Sequence, residues 1–302
     1  MACSGKLAAV AAYQQGTLWI YDFSNPANPT IQNSFDTTLA AQGGTGIGAI
    51  SLDGTKVLVG EAGGPNIVLM NASTGAPIAS CVAEDFADGG VQALALKGNT
   101  AIVSGQFNFD VVNYVGTSTL TTMPYIIGGS IGRVIFQGPI VCDFDGATAV
   151  LGDGSGNVYA FSIAAGQLKE FLGASSAAGP VSSVTVSGKQ VAAGSISDVL
   201  VALIRLGSGA PVGFAVVSST GGDSGGAVKF DGRGNLAGST NNGTGVTYFG
   251  TSAWPAATTF GVAAGANLNP TLWPTMGFTE VELFKLQPIP PWMEPILKKL
   301  FG

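Results

Sequence analysis

Ser224 is the side chain whose surroundings most suggest catalysis, because it lies in the run Gly-Asp-Ser-Gly-Gly at residues 222–226. A serine hydroxyl becomes a nucleophile only when a neighbouring base takes its proton. The 302-residue chain contains no histidine, which is the usual base and a common metal ligand. The glycines are explained more simply as a tight turn before a strand. The sequence therefore predicts a protein that is not an enzyme, with no catalytic residue and no cofactor.

Loop residues at one repeated position are the better candidates for a binding site. Each heads the loop after the second predicted strand of one of six repeated segments, and they are Ala12, Glu61, Gly105, Asp153, Ser195 and Ser239. The four with polar side chains, Glu61, Asp153, Ser195 and Ser239, are predicted as weak ligand contacts. Hydrogen bonding within the loops is the alternative. Glu61 and Asp153 belong to the second and fourth segments, so the sequence does not imply that they form an acid–base pair.

Asp153 also begins the run Asp-Gly-Ser-Gly-Asn, which places oxygen atoms at alternate positions as a calcium loop does. The twelfth position of an EF-hand loop is a glutamate, whereas here that residue is Ala164. A turn capped by a polar side chain explains the same residues. We therefore predict no metal site.

The composition excludes several classes of partner. The 18 acidic and 12 basic residues give a net charge of -6. Nucleic-acid binding needs clustered lysine and arginine side chains that neutralise phosphates. No apolar run approaches the roughly 20 residues of a transmembrane helix, and three scattered cysteines do not make a disulfide framework. Charged residues are only 10% of the chain, against about 25% in ordinary domains. A protein surface with so few charged side chains favours burial against neighbouring copies.

The elements that must position these residues repeat along the chain. A glycine is followed six residues later by a small residue at 5–11, 54–60, 98–104, 146–152, 188–194 and 232–238. The leading glycines are 42 to 49 residues apart, and a four-stranded propeller blade repeats every ~40–45 residues. An alternating apolar strand precedes each later leading glycine, and strand-like segments follow the small residue.

This pattern predicts an all-β fold, a single six-bladed β-propeller closed by a C-terminal strand and followed by a short C-terminal helical tail. The first segment is expected to lack its innermost strand, and an unpaired sheet edge invites aggregation. We therefore predict that residues 279–286 pair with the first blade and close the ring. A β-solenoid or a sandwich is the alternative.

Two stretches resemble known propeller repeats. Residues 11–36 resemble an LVIVD repeat, in which a strand ending in an aspartate leads into Ser-Asn-Pro-Ala-Asn-Pro. Residues 48–82 resemble a YVTN-type blade, with a strand-Asp-Gly-strand hairpin and a Thr-Gly before the last strand. Families of this kind are mostly bacterial and archaeal surface propellers. The resemblance implies the propeller fold and a location outside the cell, and it implies no catalytic residues.

The tail, residues 287–302, differs from the propeller region, residues 1–286. Its prolines at 288, 290 and 291 favour an extended linker. Apolar side chains then follow at helical spacing, and they are Trp292, Ile296, Leu297, Leu300 and Phe301. A helix this short is marginal alone, so it must dock on its own propeller, on a protein partner or on a membrane surface. The stiff linker favours a protein partner or a homo-oligomer.

Together these features predict a non-enzymatic structural or protein-interaction β-propeller in a surface layer, a virion or another multi-copy assembly. A lectin-like propeller that binds carbohydrate through its loops is the alternative. The expected location is extracellular, at a cell surface or in a virion. No signal peptide is visible in the sequence, which leaves the cytoplasm as the other location.

Overall fold

The structure is a computed structural model, and it describes most of the chain up to residue 249. The described residues are 1–12, 16–37, 46–83, 90–114, 116, 120–124, 136, 138, 140–165, 167–176, 180–195, 201–206, 211–217, 225–230, 236–240 and 246–249. The chain divides into two units, Met1–Asn267 and Leu268–Gly302, and every described residue belongs to the first. The predicted domain boundary after residue 286 lies outside the described residues.

The described residues form 23 strands in six antiparallel sheets and contain no helix. The first sheet is β1 (Ala2–Ser4), β2 (Leu7–Ala11), β3 (Thr17–Asp22) and β4 (Thr30–Asp36). The second is β5 (Ile47–Asp53), β6 (Lys56–Glu61), β7 (Asn66–Asn71) and β8 (Pro77–Val82). The third is β9 (Ala93–Lys97), β10 (Thr100–Ser104), β11 (Phe109–Tyr114) and β12 (Leu120–Pro124). The fourth is β13 (Val141–Phe144), β14 (Thr148–Gly152), β15 (Asn157–Ala164) and β16 (Gln167–Ser176). The fifth is β17 (Val181–Ser187), β18 (Gln190–Ser195), β19 (Val201–Leu206) and β20 (Pro211–Val217). The sixth is β21 (Gly225–Phe230), β22 (Leu236–Thr240) and β23 (Val246–Phe249).

Within every sheet the strands lie in chain order, and each pairs antiparallel with the next. The hairpin end of a sheet is the end where its first strand turns into its second. The loop end is the opposite end, where the second strand enters the loop to the third. Gly5 and Gly54 form hairpin-end turns with φ of +58°, a conformation that glycine adopts without strain. The alternating strands and glycine turns of each repeat therefore fold locally into one sheet.

The first sheet has an inner strand of its own, which the sequence analysis missed. We expected the first segment to lack this strand, and that expectation is wrong. β1 pairs with β2, with Ala2 opposite Ala9 and Ser4 opposite Leu7. A strand of three residues is too short to show an alternating apolar pattern. The segment 279–286, which we predicted to fill this place, lies outside the described residues.

The core lies between neighbouring sheets. One buried cluster joins Leu18 and Ile20 of the first sheet to Val57 and Met70 of the second. Equivalent clusters join the second to the third sheet, the third to the fourth and the fourth to the fifth. The second, third and fourth sheets therefore bury an apolar face against a neighbour on each side, and their stability depends on those neighbours.

The small residue six positions after each leading glycine is required by this packing. A Cβ atom on Gly60 would lie 2.5 Å from Cγ1 of Val91, which precedes the inner strand of the next sheet. A Cβ on Gly152 would overlap Val181 in the same way at the junction of the fourth and fifth sheets. Both valines are buried. The small residue of the repeat therefore marks the point at which the next sheet packs closely against the second strand.

At four of the five junctions between successive described sheets, side chains at the inner strand also accept hydrogen bonds from backbone N–H groups at the next inner strand. An inner strand is a sheet edge, so half of its N–H groups have no partner within the sheet. At three junctions, the side chain of the residue before a leading glycine accepts a hydrogen bond from the N–H of the next leading glycine. Ser4 Oγ accepts from Gly54 (2.9 Å), Asp53 Oδ2 from Gly98 (2.7 Å) and Asp145 Oδ2 from Gly188 (2.6 Å). These bonds place the hairpin ends of successive sheets side by side.

A second series of such bonds lies two residues nearer the loop end. Ser51 Oγ accepts from Leu96 N (2.9 Å), Asp143 Oδ2 from Val186 N (3.0 Å) and Thr185 Oγ1 from Phe230 N (3.4 Å). The donor always belongs to the sheet that follows in the chain. The series fixes the register between sheets as the ladder fixes it within them.

Asp53 should make stability depend on pH. Burial alone would raise the pKa of Asp53, but hydrogen bonds from Lys97 Nζ and Gly98 N hold that pKa below its ordinary value. A depressed pKa in the folded state stabilises the protein above the unfolded pKa of about 3.9, and this stabilisation disappears as the pH falls through the folded pKa. The difference in unfolding free energy between wild type and Asp53→Asn should therefore shrink on acidification. Denaturant titrations from neutral pH to about pH 3 measure it. Ser51→Ala removes a similar bond without a titrating group, so its effect should not change with pH.

Candidate functional site

Glu61 lies at the loop end of the second sheet and is buried, with 4% of its surface exposed. It ends β6, and Nδ2 of Asn66, the first residue of β7, donates a hydrogen bond to its Oε2. Gly64 lies so close to this carboxylate that any side chain there would overlap it. The loop between β6 and β7 thus closes over Glu61.

Asp153 lies at the equivalent place in the fourth sheet and has no exposed surface. Its Oδ1 accepts hydrogen bonds from the N–H groups of Ser155 and Asn157, both at 2.9 Å. Its Oδ2 accepts from Nδ2 of Asn157 at 3.1 Å. Its carbonyl oxygen accepts from Val181 N of the fifth sheet at 3.0 Å. The side chain of Asp153 therefore caps its own loop, as in an Asx-turn. Its backbone carbonyl joins the fourth sheet to the fifth.

The predicted ligand contacts thus divide into two groups. Glu61 and Asp153 are buried, and each is hydrogen-bonded by the asparagine that begins the third strand of its sheet. Ser195 ends β18 and Ser239 lies in β22, while their side chains fall outside the described residues. A ligand role for these four stays a prediction, as does a partner role for the tail residues from Trp292 to Phe301, which are also outside the described residues.

The loop end holds a cavity of about 260 Å³ between the first three sheets. It is lined by Met1 and Ala11 of the first sheet, residues 47–50 of the second and residues 92–94 of the third. Gln92 is the one polar side chain among these lining residues. The side chains that line the cavity offer no acid or base. Sequence reasoning missed it because small apolar residues carry no chemical signal.

Metal ligands do not gather among the described residues. No group of three or more aspartate, glutamate or cysteine side chains is close enough there to hold an ion. The part of the chain that the structure describes holds no helix with the length and hydropathy of a transmembrane span.

The hairpin end carries the ion pairs of the described residues. Lys97 Nζ lies 2.9 Å from Asp53 Oδ1, and Lys229 Nζ lies 2.8 Å from Asp143 Oδ1. Asp143 also accepts a bond from Thr185 Oγ1 at 2.9 Å, so it links inner strands of the fourth, fifth and sixth sheets. Sequence reasoning missed this network, although each of these charges lies within three residues of a leading glycine.

The three cysteines should differ in reactivity. Burial raises the pKa of Cys142 to about 12. The pKa of Cys81 is also raised to about 12, mainly by burial and to a smaller extent by the negative charge of Asp110. Cys3 is exposed. Because the thiolate is the reactive form, Ellman's reagent should modify Cys3 rapidly in the native protein and the other two only on unfolding. Cys3→Ser should remove the rapid phase, and a rapid phase that survives this change would contradict the raised pKa of the two partly buried thiols.

No protein-family profile and no curated protein sequence matches the chain. The structure is similar to that of the computationally designed Ika8 protein, with a TM-score of 0.61, 16% identity, and coverage of 83% of this chain and 70% of that one. It is also similar to Hsv2 of Kluyveromyces lactis, with a TM-score of 0.57, 14% identity and coverage of 82% and 71%. The WD40 repeats of RRP9 give a TM-score of 0.55, 16% identity and coverage of 80% and 72%. Identities this low show the fold alone, which is a β-propeller repeat fold.

Proposed function

We propose that this chain is a non-enzymatic β-propeller that binds other protein chains within a multi-copy assembly. Its similarity to WD40 propellers supports an interaction role, because folds of this kind present broad surfaces to partners. The proposal includes a ring of six blades, with relatives among LVIVD and YVTN-type surface propellers, and a location at a cell surface or in a virion.

The observation that carries the proposal is that the carboxylates of Glu61 and Asp153 are buried and hydrogen-bonded within their own loops. An active site or a sugar site needs polar groups that are free to contact a ligand. Both carboxylates are instead buried and hydrogen-bonded to the asparagine of their own loop. Their position explains why a carboxylate follows the second strand without any ligand.

The test compares protein association with sugar binding. A glycan array probed with the wild-type protein should show no specific binding, and sedimentation of the same protein should show species larger than a monomer. The variants Glu61→Gln and Asp153→Asn keep the side-chain shapes and should leave the array result unchanged. Specific sugar binding that is lost in either folded variant would overturn the proposal in favour of a lectin.

The tail has its own place in this proposal. Trp292 and Phe301 are proposed as its anchors on a protein partner or a second copy, since aromatic side chains dominate contact energies. Replacing both with serine should release the protein from its assembly and leave its thermal unfolding unchanged. A loss of cooperative unfolding in that variant would assign the tail to the fold.

A further inference from the structure

Charge is distributed unevenly between the two ends of the sheets. Every basic residue on the described backbone lies at the hairpin end, in a turn or in the adjoining half of a strand: Lys6, Lys56, Lys97, Lys169, Lys189, Arg205 and Lys229. The loop end of the described residues has no base and four carboxylates, those of Asp36, Glu61, Asp110 and Asp153. The bonds between successive inner strands align these ends, so the charges add from sheet to sheet.

The hairpin end also holds five acids on the described backbone, Asp22, Asp53, Asp143, Asp145 and Glu170, against its seven bases. Asp53 and Asp143 have 21% and 14% of their side-chain surface exposed, and both accept backbone N–H bonds from the next sheet. Their partners Lys97 and Lys229 have 53% and 67% exposed. At these two ion pairs the ammonium groups are therefore more exposed than the carboxylates, and the described backbone of this end holds two more bases than acids.

The loop end presents the opposite sign. Asp36 ends β4 and is exposed, with Oδ1 accepting one bond from Thr17 Oγ1. Glu61, Asp110 and Asp153 lie below the surface, where salt screens a charge less than it does at the surface. The hydrogen bonds to Glu61 and Asp153 satisfy these two carboxylates locally but do not cancel their charge.

Opposite charges on two ends of one molecule are complementary only when copies stack head to tail. Stacking hairpin end on hairpin end, or loop end on loop end, would place like charges together. We propose that a second copy of this chain docks with its loop end on the hairpin end of the first. Such an interface uses two different surfaces, so it can repeat into a longer stack. This inference rests on the proposed function and names its partner and its polarity.

Lys6 and Lys189 provide the variants for the test. Both are exposed and lie in hairpin-end turns, so changing them leaves the Lys97–Asp53 and Lys229–Asp143 ion pairs in place. The double variant Lys6→Glu, Lys189→Glu reverses the charge at two places on the hairpin end. The matched control Lys6→Arg, Lys189→Arg keeps the charge. Thermal unfolding of both variants shows that the fold is unchanged.

Sedimentation velocity then measures association at about 0.1 M and about 1 M NaCl, where the Debye length falls from about 10 Å to about 3 Å. Wild type and the arginine variant should associate at low salt and weaken about tenfold at high salt. The glutamate variant should be about tenfold weaker already at low salt.

Two results would overturn the stacking. Association that is equal in the glutamate variant and unaffected by salt would exclude this interface and leave the proposed interaction function standing. A wild-type protein that stays monomeric but binds polyglutamate at low salt would mean that the hairpin end takes a different acidic chain. Sugar binding on the glycan array, in contrast, would overturn the proposed function itself.

Discussion

Replacing Gly60 with valine should lower the free energy of unfolding by about 3 kcal/mol, because overpacking a full core forces side chains and backbone apart. Even a single Cβ at this position would lie 2.5 Å from Cγ1 of Val91. That valine has 1% of its surface exposed and packs in the cluster between the second and third sheets, so it has no free space to move into. Denaturant unfolding of the variant and of wild type measures the difference.

A double-mutant cycle separates this close approach from other effects of the substitution. Gly60→Ala and Val91→Ala should each destabilise the protein, and the double variant should cost less than the sum, with a coupling of about 1 kcal/mol. Gly98→Ala is the matched control, because a Cβ there meets no atom within 4 Å and its cost comes from a φ of +62°. Its effect should add to that of Val91→Ala. Additivity at Gly60 as well would contradict the contact.

Replacing Asp153 with alanine should cost about 3 kcal/mol of unfolding free energy, since buried donors that lose a charged acceptor are expensive. The N–H groups of Ser155 and Asn157 and the amide of Asn157 would all lose their acceptor. Asp153→Asn keeps one side-chain oxygen and should cost less. Thermal and denaturant unfolding measure both variants.

Asp36 provides the control for this second result. It is also an aspartate at the loop end, but it is exposed and accepts a hydrogen bond from the Thr17 hydroxyl. Asp36→Ala should therefore leave unfolding unchanged within experimental error. An equal loss of stability in the two alanine variants would mean that the loop cap at Asp153 contributes nothing special.

The repeat allowed the sheets to be predicted because each one forms from consecutive residues. The pattern predicts fourth strands over 77–82 and 211–217, and β8 and β20 have these bounds. It fails at β1, where Ala2–Ser4 offers three residues and no alternation. Local periodicity therefore predicts hairpins well and very short edge strands poorly.

The candidate site was predictable in its residue types and not in its burial. The sequence places a carboxylate after the second strand at Glu61 and Asp153, but the asparagines that bind them are recognised only when the loops close. The bonds between sheets were harder still, since Ser51 and Leu96 are 45 residues apart in the chain. Contacts between separate sheets leave no mark in a local pattern.

The acceptor side chains on the inner strands have a consequence for how such a chain can lengthen. The second and fifth repeats each bring both an acceptor for the repeat after them and an N–H group for the one before: Asp53 and Gly54 in the second, Thr185 and Gly188 in the fifth. A duplicated segment of the gene would therefore encode a sheet whose two junctions are already compatible with its neighbours. The junction after the third sheet shows the tolerance of this scheme. Lys97 there cannot accept a bond, and Ser104 Oγ binds the carbonyl oxygen of Ile140 instead, at 2.7 Å. Duplication and loss of whole units can thus change the number of sheets without a new kind of junction.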